Sequence, residues 1–312
     1  MRLFLGVDGG QSSTKALIGD ETGRVLGAGA GGPCNHVGAA EGRAKLVRAV
    51  TDCVAQACAQ AGLDPQTARF EAACFGMSGG PEDKQSILAE ILPAERLVVT
   101  HDALIALSGA TAGEPGTVTI AGTGSIAFGR NAQGETARAG GWGYVFGDEG
   151  GGFDITRQAL RAALRHAEGW GPPTALHDLL LQHAGGADAN DLLHRFYTAD
   201  YPRPRIASYA KLVDQAAREG DPVAADILHN AAQQLASLAA SVRRQLFAGD
   251  EITTVAYIGG VFRSARLLER FRMLVELNGD RCAPPIFGPD AGALLEAYRA
   301  AGLHPKLSES KP

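Results

Sequence analysis

Residues 3–17 read LFLGVDGGQSSTKAL, and this stretch decides the fold. An apolar run ends at Asp8, two glycines and several polar residues follow, and a second apolar run begins at Ala16, which predicts strand, tight turn and strand. Glycines let a ligand approach the backbone closely and neighbouring hydroxyls add donors, so the turn suits a phosphate group. An ordinary hairpin is the alternative, because Asp-Gly is also a strong hairpin signal. The candidate phosphate-binding residues of this first turn are Gly9, Gly10, Gln11, Ser12, Ser13 and Thr14.

The second half of the chain begins with the same pattern. An apolar run over residues 117–121 leads into a second turn, Gly122-Thr123-Gly124-Ser125, followed by another apolar run and a reverse turn. The first glycine and the glycine of the next reverse turn are 14 positions apart in the first copy (9 to 23) and 12 in the second (122 to 134). This echo predicts two related domains, each with its own phosphate-binding turn.

Composition narrows the class of protein. The chain has 312 residues, enough for two domains, and a net charge of −5 without long blocks of one sign, so we expect a small-molecule partner and no nucleic acid. No apolar run reaches membrane-spanning length and no signal-peptide core follows Arg2, so we expect no membrane partner and a cytoplasmic location. The five cysteines lack metal-ligand spacing and are expected to be reduced and structural: Cys34, Cys53, Cys58, Cys74 and Cys282.

Two further apolar strands end in residues of functional interest. The run 96–100 ends at His101-Asp102, and an acid at the carboxyl end of a strand in an α/β sheet lies where such folds bind ligands. The run 253–258 is closed by Gly259-Gly260. Helical patterns are predicted over residues 154–166, 174–183, 188–197 and 208–218, and a long helix is predicted to start at Asp221-Pro222. Asp102 is therefore a candidate catalytic residue, although it could also cap the helix that begins at Ala103.

The segment Gly140–Gly152, the aromatic loop, reads GGWGYVFGDEGGG. Flexible linkers are poor in aromatic residues, so this segment is predicted to be an ordered loop facing a ligand cleft. Trp142 could stack on a ligand or fill the core. Asp148 and Glu149 are typical of a glycoside-hydrolase pair, but neighbours on an extended loop point in opposite directions, so we expect Asp148 to face the ligand and Glu149 to support the loop.

These motifs occur in an order that resembles the N-acetylglucosamine kinase group of the BadF/BadG/BcrA/BcrD-type ATPase family, within the actin, Hsp70 and hexokinase superfamily. The resemblance covers nearly the whole chain. It rests on eight motifs: VDGGQSST from Val7, Asn35-His36, Gly76-Met77-Ser78-Gly79, Thr100-His101-Asp102-Ala103, Ala121-Gly122-Thr123-Gly124-Ser125, Gly140-Gly141-Trp142-Gly143, Gly147-Asp148-Glu149-Gly150 and Ile258-Gly259-Gly260-Val261.

The resemblance implies an α/β fold of two ribonuclease-H-like (actin-like ATPase) domains around an interdomain cleft. The first domain is expected to comprise residues 1–109 plus 291–312, because the C-terminal helix returns to it, and the second residues 110–290. The family also implies a homodimer. Its activity is transfer of phosphate from Mg-ATP to an amino sugar, most simply to the 6-hydroxyl of N-acetylglucosamine.

The resemblance also implies roles for individual residues. The nucleotide phosphates would lie on Ser12 and Thr123, and the nucleoside on Ala207, Gly259 and Gly260. The sugar site would comprise Asn35, Ser78, Ser125, Ile126, Gly141, Trp142 and Asp148. Asp102 would orient the sugar hydroxyl and accept its proton late, since an ordinary aspartate has a pKa of ~3.9. Asp8 would hold Mg²⁺ through water, while Lys15, His36 and His101 are given no catalytic role.

Two departures from the family pattern leave the acceptor open. Animal members have Asn where this chain has Ile126 and Trp where it has Val37, so glucosamine is the alternative acceptor. A second alternative is the ATPase activator of a radical dehydratase, which needs cysteines at iron–sulfur spacing that is absent here. A third is a sugar-responsive repressor, which would need a DNA-binding helix-turn-helix. We expect no such motif ahead of the first strand, so the repressor alternative is disfavoured.

Overall fold

A computed structural model describes residues 1–10, 12–34, 41–79 and 84–308 of the protein. The chain divides into two compact units: unit 1 comprises Met1–Glu114 and Pro285–Pro312, and unit 2 comprises Pro115–Pro284. The predicted boundaries lie a few residues from these positions. Numbered in chain order, the elements are β1 Leu3–Gly9, β2 Thr14–Asp20, β3 Val25–Gly31, α1 Gly42–Gln60, β4 Phe70–Met77, α2 Gln85–Ile91, β5 Ala94–His101, α3 Asp102–Ala110, β6 Gly116–Ala121, β7 Ser125–Arg130, β8 Thr136–Gly140, α4 Gly152–Ala167, α5 Leu176–Ala184, α6 Ala189–Phe196, α7 Arg203–Ala207, α8 Ala210–Arg218, α9 Pro222–Leu246, β9 Thr254–Ile258, the 3-10 helix Gly260–Arg263, α10 Ala265–Leu277, β10 Arg281–Ala283 and α11 Pro289–Ala300.

Unit 1 contains a five-stranded mixed sheet of order β3-β2-β1-β4-β5. β1, β2 and β3 pair antiparallel, as the two turn signals predict, and β1, β4 and β5 pair parallel. β1 and β4 are buried along nearly their whole length, which explains their continuous apolar sequences. The edge strand β3 carries three alternating glycines, Gly27, Gly29 and Gly31, where a Cβ would overlap the backbone of α1. This stripe lets α1 lie directly on the sheet.

Unit 2 repeats this topology. Its sheet has the order β10-β9-β6-β7-β8, with β6, β7 and β8 antiparallel and β6, β9 and β10 parallel. β6 therefore corresponds to β1, and the internal repeat found in the sequence is a repeat of the whole sheet. The hydrophobic core of unit 2 lies between this sheet and the long helix α9, with α4, α5, α8 and α10 packed around it.

The helix α11 belongs to unit 1 and runs antiparallel to β1. The Tyr298 ring lies 4.6 Å from that of Phe4, and the Tyr298 hydroxyl donates to the Asp20 carbonyl at 2.7 Å. One turn earlier, a Cβ on Gly6 would overlap the backbone of Leu294. The N-terminus of α11 consequently lies beside the carboxyl end of β1.

The helices in the described ranges include none with the length and apolarity needed to cross a membrane. The cysteines have free thiols and pack in the protein interior, as predicted. Cys34, Cys53, Cys58 and Cys74 are buried, and Cys282 is partly buried. Burial raises the pKa of Cys53 to about 12 and that of Cys282 to about 11. Iron–sulfur clusters bind thiolates, so these environments do not favour the dehydratase-activator alternative.

Candidate active site

Three parallel strands of unit 1 end at the same level. In the register of the sheet, Gly9 of β1 pairs with Met77 of β4, and Met77 pairs with His101 of β5. The residues that follow these strand ends therefore share one edge of the sheet, which is where α/β folds bind ligands. Two of the predicted site residues, Ser78 and Asp102, are brought to the first turn in this way.

Asp102 is the first residue of α3, one residue earlier than predicted. It keeps solvent access, yet the protein around its carboxylate desolvates it and raises its pKa above the usual range. The Ala103 backbone N–H, the charge of His101 and the Ser78 hydroxyl oppose this effect only in part. The sequence suggested a carboxylate too acidic to be a strong base, whereas a raised pKa makes a better proton acceptor at neutral pH.

Ser78 connects the first turn to Asp102. Its hydroxyl donates a hydrogen bond to the Asp102 carboxylate, and its backbone N–H donates to the carbonyl of Gly9 at 3.0 Å. This geometry lets Ser78 orient the acid. Its predicted contact with the sugar stays a prediction.

Asp8 lies near the end of β1, and the pKa of its carboxyl is raised to about 6. Burial is the largest cause, the charges of Asp290 and Asp102 follow in that order, and Lys15 opposes them. Nothing in the sequence indicates that Asp290 is a neighbour of Asp8, because this approach depends on the direction in which α11 packs along β1. Within residues 1–10, 12–34, 41–79 and 84–308, no three His, Cys, Asp or Glu side chains could together hold a metal ion. The acidic surroundings nevertheless suit Mg²⁺, which typically takes one or two carboxylates and completes its shell with water and phosphate oxygens.

We expect Asp8→Asn to stabilise the metal-free protein at pH 8. A raised pKa means that this carboxyl contributes stability present below its ordinary pKa of 3.8 and lost as the pH rises through about 6. The shift corresponds to about 3 kcal/mol, and the amide removes the charged form. Denaturant unfolding in the presence of a chelator should show a gain at pH 8 that vanishes by pH 3. An equal gain at both pH values would contradict the assignment.

Hydroxyl groups of the first turn divide into two kinds. Ser12 and Ser13 are exposed, and the Gly10 N–H donates to the Ser13 carbonyl at 3.0 Å. Thr14 is buried, and its hydroxyl donates to the Gly32 carbonyl and lies 2.8 Å from the Cys34 sulfur. Thr14 therefore holds the turn in shape, and Ser12 and Ser13 present hydroxyls to solvent. The predicted site residues Gln11 and Asn35 lie outside the described residues.

Unit 2 contains a cavity of about 400 Å³ at the carboxyl ends of β6 and β9, a volume typical of small-ligand sites. Four predicted nucleotide-binding residues line it: Gly122, Thr123, Ala207 and Gly260. The lining also contains charged and polar residues that sequence reasoning missed: Ser208, Lys211, Asp214, Arg263 and Ser264. The Ser264 hydroxyl donates to Asp214 at 2.5 Å, which joins the two missed segments.

The start of α4 fixes the second turn. The Gly152 N–H donates to the carbonyl of Gly122 at 2.8 Å, and the Phe153 N–H donates to that of Thr123 at 3.0 Å. On the opposite side, a Cβ on Gly259 would overlap the carbonyl of Ala121. The second turn is thus held between α4 and the end of β9, next to the cavity.

Asp148 of the aromatic loop packs against the second turn. Asp148 is buried and has a left-handed φ of 63°, so the loop is not extended at this residue. The prediction that Asp148 and Glu149 point in opposite directions assumes an extended loop, and strand geometry does not support it here. A Cβ on Gly124 would overlap the Asp148 carboxylate, and the Ser125 N–H donates to it at 3.4 Å. The Ser125 hydroxyl donates to the Glu149 carbonyl at 2.6 Å.

Other predicted sugar-site residues lie in the same neighbourhood. The Gly141 N–H donates to the Ser125 carbonyl at 3.0 Å, and a Cβ on Gly141 would lie 2.8 Å from the Ile126 side chain. Trp142 is 64% exposed, with the Arg138 guanidinium 4.6 Å from its ring centroid. The core-filling alternative for Trp142 is therefore wrong, and its exposed ring can stack on a ligand.

The model of the BadF/BadG/BcrA/BcrD ATPase family matches residues 5–297 of the chain. The chain is 32% identical over 285 residues to the N-acetylmuramic acid/N-acetylglucosamine kinase of Clostridium acetobutylicum, covering 89% of this chain and 92% of that protein. It is 31% identical over 277 residues to the N-acetyl-D-glucosamine kinase of Dictyostelium discoideum, with 83% and 85% covered.

A solved structure from Chromobacterium violaceum, provisionally named an N-acetylglucosamine kinase, superposes with a TM-score of 0.76 at 29% identity. The match covers 95% of this chain and 98% of that one. The predicted fold class, an α/β protein of two ribonuclease-H-like (actin-like ATPase) domains, is confirmed by this likeness and by the matching topology of the two sheets.

Proposed function

Because the chain belongs to the BadF/BadG/BcrA/BcrD ATPase family, we propose that it is an ATP-dependent kinase that phosphorylates a hydroxyl group of an amino sugar. The observation that carries the proposal is the position of Asp102, a solvent-accessible carboxylate with a raised pKa at the same sheet edge as a Gly- and Ser-rich turn. Phosphoryl transfer needs positioning and charge neutralisation more than covalent chemistry. The site offers donors for phosphate and an acceptor for the proton of the hydroxyl group.

The nucleoside is assigned to unit 2. The cavity beside Thr123 and Gly260 has room for a small ligand, and we assign the nucleoside of ATP to it. The phosphates are assigned to the second turn, and the exposed Ser12 and Ser13 of the first turn stay predicted phosphate contacts. Lys211 and Arg263 line the cavity and supply positive charge there.

Asp102 is proposed to orient the acceptor hydroxyl and to take its proton, while the Ser78 hydroxyl fixes the carboxylate. Asp8 would hold Mg²⁺ through water, with Asp290 and Asp102 adding negative charge around it. A bound Mg²⁺ neutralises charge on the phosphate oxygens. The protein contribution at Asp8 is a partly buried carboxylate whose ionised form the cation would stabilise.

N-acetylglucosamine is proposed as the acceptor, with phosphate transferred to its 6-hydroxyl group. Relatives at 31–32% identity that carry this sugar in their names support the proposal. The sugar would contact Ser125, Gly141, Trp142 and Asp148, with Asn35 as a further predicted contact. Glucosamine is the second candidate, because Ile126 presents an apolar side chain where animal members have Asn. Magnesium dependence, cytoplasmic location and a homodimeric state remain predictions.

Rates of ADP release with Mg-ATP should identify the acceptor. We expect turnover above background with N-acetylglucosamine and lower kcat/KM with glucosamine, glucose and N-acetylmuramic acid. A preference for glucosamine would replace the acceptor and keep the kinase proposal. Failure of all four sugars to stimulate ADP release would contradict the proposed function.

A further inference from the structure

Tyr144 attaches the tip of the aromatic loop to the rest of unit 2, with a side chain that is 42% exposed. Its ring makes an edge contact with that of Phe153, with centroids 5.2 Å apart, and the Arg203 guanidinium lies 5.0 Å from its centroid. The Tyr144 carbonyl accepts a hydrogen bond from Arg157 at 3.3 Å. The next two side chains, Val145 and Phe146, are 64% and 85% exposed. Tyr144 therefore fastens an otherwise exposed tip.

Both ring partners of Tyr144 belong to segments that form the nucleotide cavity. Phe153 donates its N–H to the Thr123 carbonyl at 3.0 Å, and so holds the second turn. Arg203 begins the short helix α7, whose last residue, Ala207, lines the cavity. A Cβ on the neighbouring Gly152 would lie 3.0 Å from the Ala207 carbonyl, so α7 and the start of α4 are in close contact. A shift of the Tyr144 ring would be transmitted to two walls of the cavity.

We propose that Tyr144 is a positioning residue that couples binding of the sugar to binding of the nucleotide. The inference rests on the proposed function, because it takes the aromatic loop as the sugar site. A sugar bound against Trp142 and Asp148 restrains the loop and holds the Tyr144 ring against Arg203 and Phe153. This in turn holds α7 and the second turn in the arrangement that binds the nucleotide. Coupling between binding sites is reciprocal, so the nucleotide raises sugar affinity by the same factor.

The size of the coupling follows from the contacts. A cation–π contact at a partly exposed site accounts for about a 2- to 5-fold change in an equilibrium constant, and an aromatic edge contact for a similar factor. Both contacts are lost when the ring is removed. In Tyr144→Ala the backbone carbonyl is still available to Arg157, so the loop keeps that attachment.

Titration calorimetry with AMPPNP and Mg²⁺, with and without saturating N-acetylglucosamine, tests the proposal. For the wild-type protein we expect the sugar to increase nucleotide affinity about 5-fold or more. In Tyr144→Ala the affinity without sugar should stay within about 2-fold of wild type, while the increase caused by sugar should fall to less than about 2-fold. Tyr144→Phe keeps the ring and should keep the increase. Phe146→Ala is the matched control on the same loop, since its side chain is 85% exposed, and should also keep it.

Three outcomes would overturn the inference alone. The first is a wild-type protein that binds both ligands without coupling, and the second is a folded Tyr144→Ala variant that keeps the full increase. A third is an equal fall in nucleotide affinity with and without sugar, which would mark Tyr144 as purely structural. A wild-type protein that binds neither AMPPNP nor any sugar of the panel would instead overturn the proposed function, and the inference with it.

Discussion

Asp102→Asn is expected to lower turnover by about 10²- to 10⁴-fold, the usual effect of removing an acid–base group. The amide cannot take the proton of the acceptor hydroxyl. Its oxygen can still accept from the Ala103 N–H and the Ser78 hydroxyl, the partners seen for the carboxylate, so the start of α3 should be preserved. Steady-state kinetics and AMPPNP titration together should show that kcat falls while nucleotide affinity stays near the wild-type value.

Asp178→Asn provides a matched control for this variant. Asp178 also lies in the first turn of a helix, α5, but in unit 2, where its side chain is 93% exposed. This exchange should leave kcat and stability close to wild type. If Asp102→Asn retained near wild-type turnover, Asp102 would not be the proton acceptor. The structural role of Asp102 as the first residue of α3 would then be enough to explain why an aspartate occurs there.

Gly259→Ala is expected to destabilise the protein by about 3 kcal/mol or more, because it combines backbone strain with a steric clash. Gly259 has φ +118°, and a Cβ there would overlap the Ala121 carbonyl. The two walls of the cavity meet at this point, since Ala121 ends β6 and Gly259 follows β9. A shift of this size corresponds to a fall of roughly 6–12 °C in Tm for a unit of this length. Differential scanning calorimetry measures it directly.

The next residue provides the control. Gly260 has open space around the position of a Cβ and lines the cavity. Gly260→Ala should leave the free energy of unfolding within about 0.5 kcal/mol of wild type, while the added methyl group weakens AMPPNP binding about tenfold. Equal Tm values for Gly259→Ala and wild type would contradict the close contact with Ala121. Unchanged AMPPNP affinity in Gly260→Ala would contradict the assignment of the nucleoside to this cavity.

Local patterns predict most elements of the fold. The first three strands follow from two turn signals separated by apolar runs, and α9 follows from Asp221-Pro222, where the Asp221 side chain accepts from the Ala224 N–H. α7 and β10 were not predicted. α7 has five residues that include Pro204, and β10 has three, so neither is long enough to show a period.

Positions in the site that depend on packing were not predictable from sequence. Asp290 approaches Asp8 because α11 runs antiparallel to β1, and no residue near Asp290 indicates that direction. Lys211 and Arg263 reach the cavity from α8 and from the 3-10 helix, which are distant in sequence from the second turn. Asp148 turns beneath Gly124 through a left-handed φ, a conformation rare for residues other than glycine.

Transfer of a phosphoryl group from ATP to an amino sugar can be followed by ³¹P NMR of the reaction products. With Mg-ATP and N-acetylglucosamine, we predict that one sugar phosphomonoester, attached at the 6-hydroxyl, forms for each ADP released. The Asp102→Asn variant should form it at least about 10²-fold more slowly. Release of ADP with inorganic phosphate and no sugar phosphate, for every amino sugar offered, would contradict the claim.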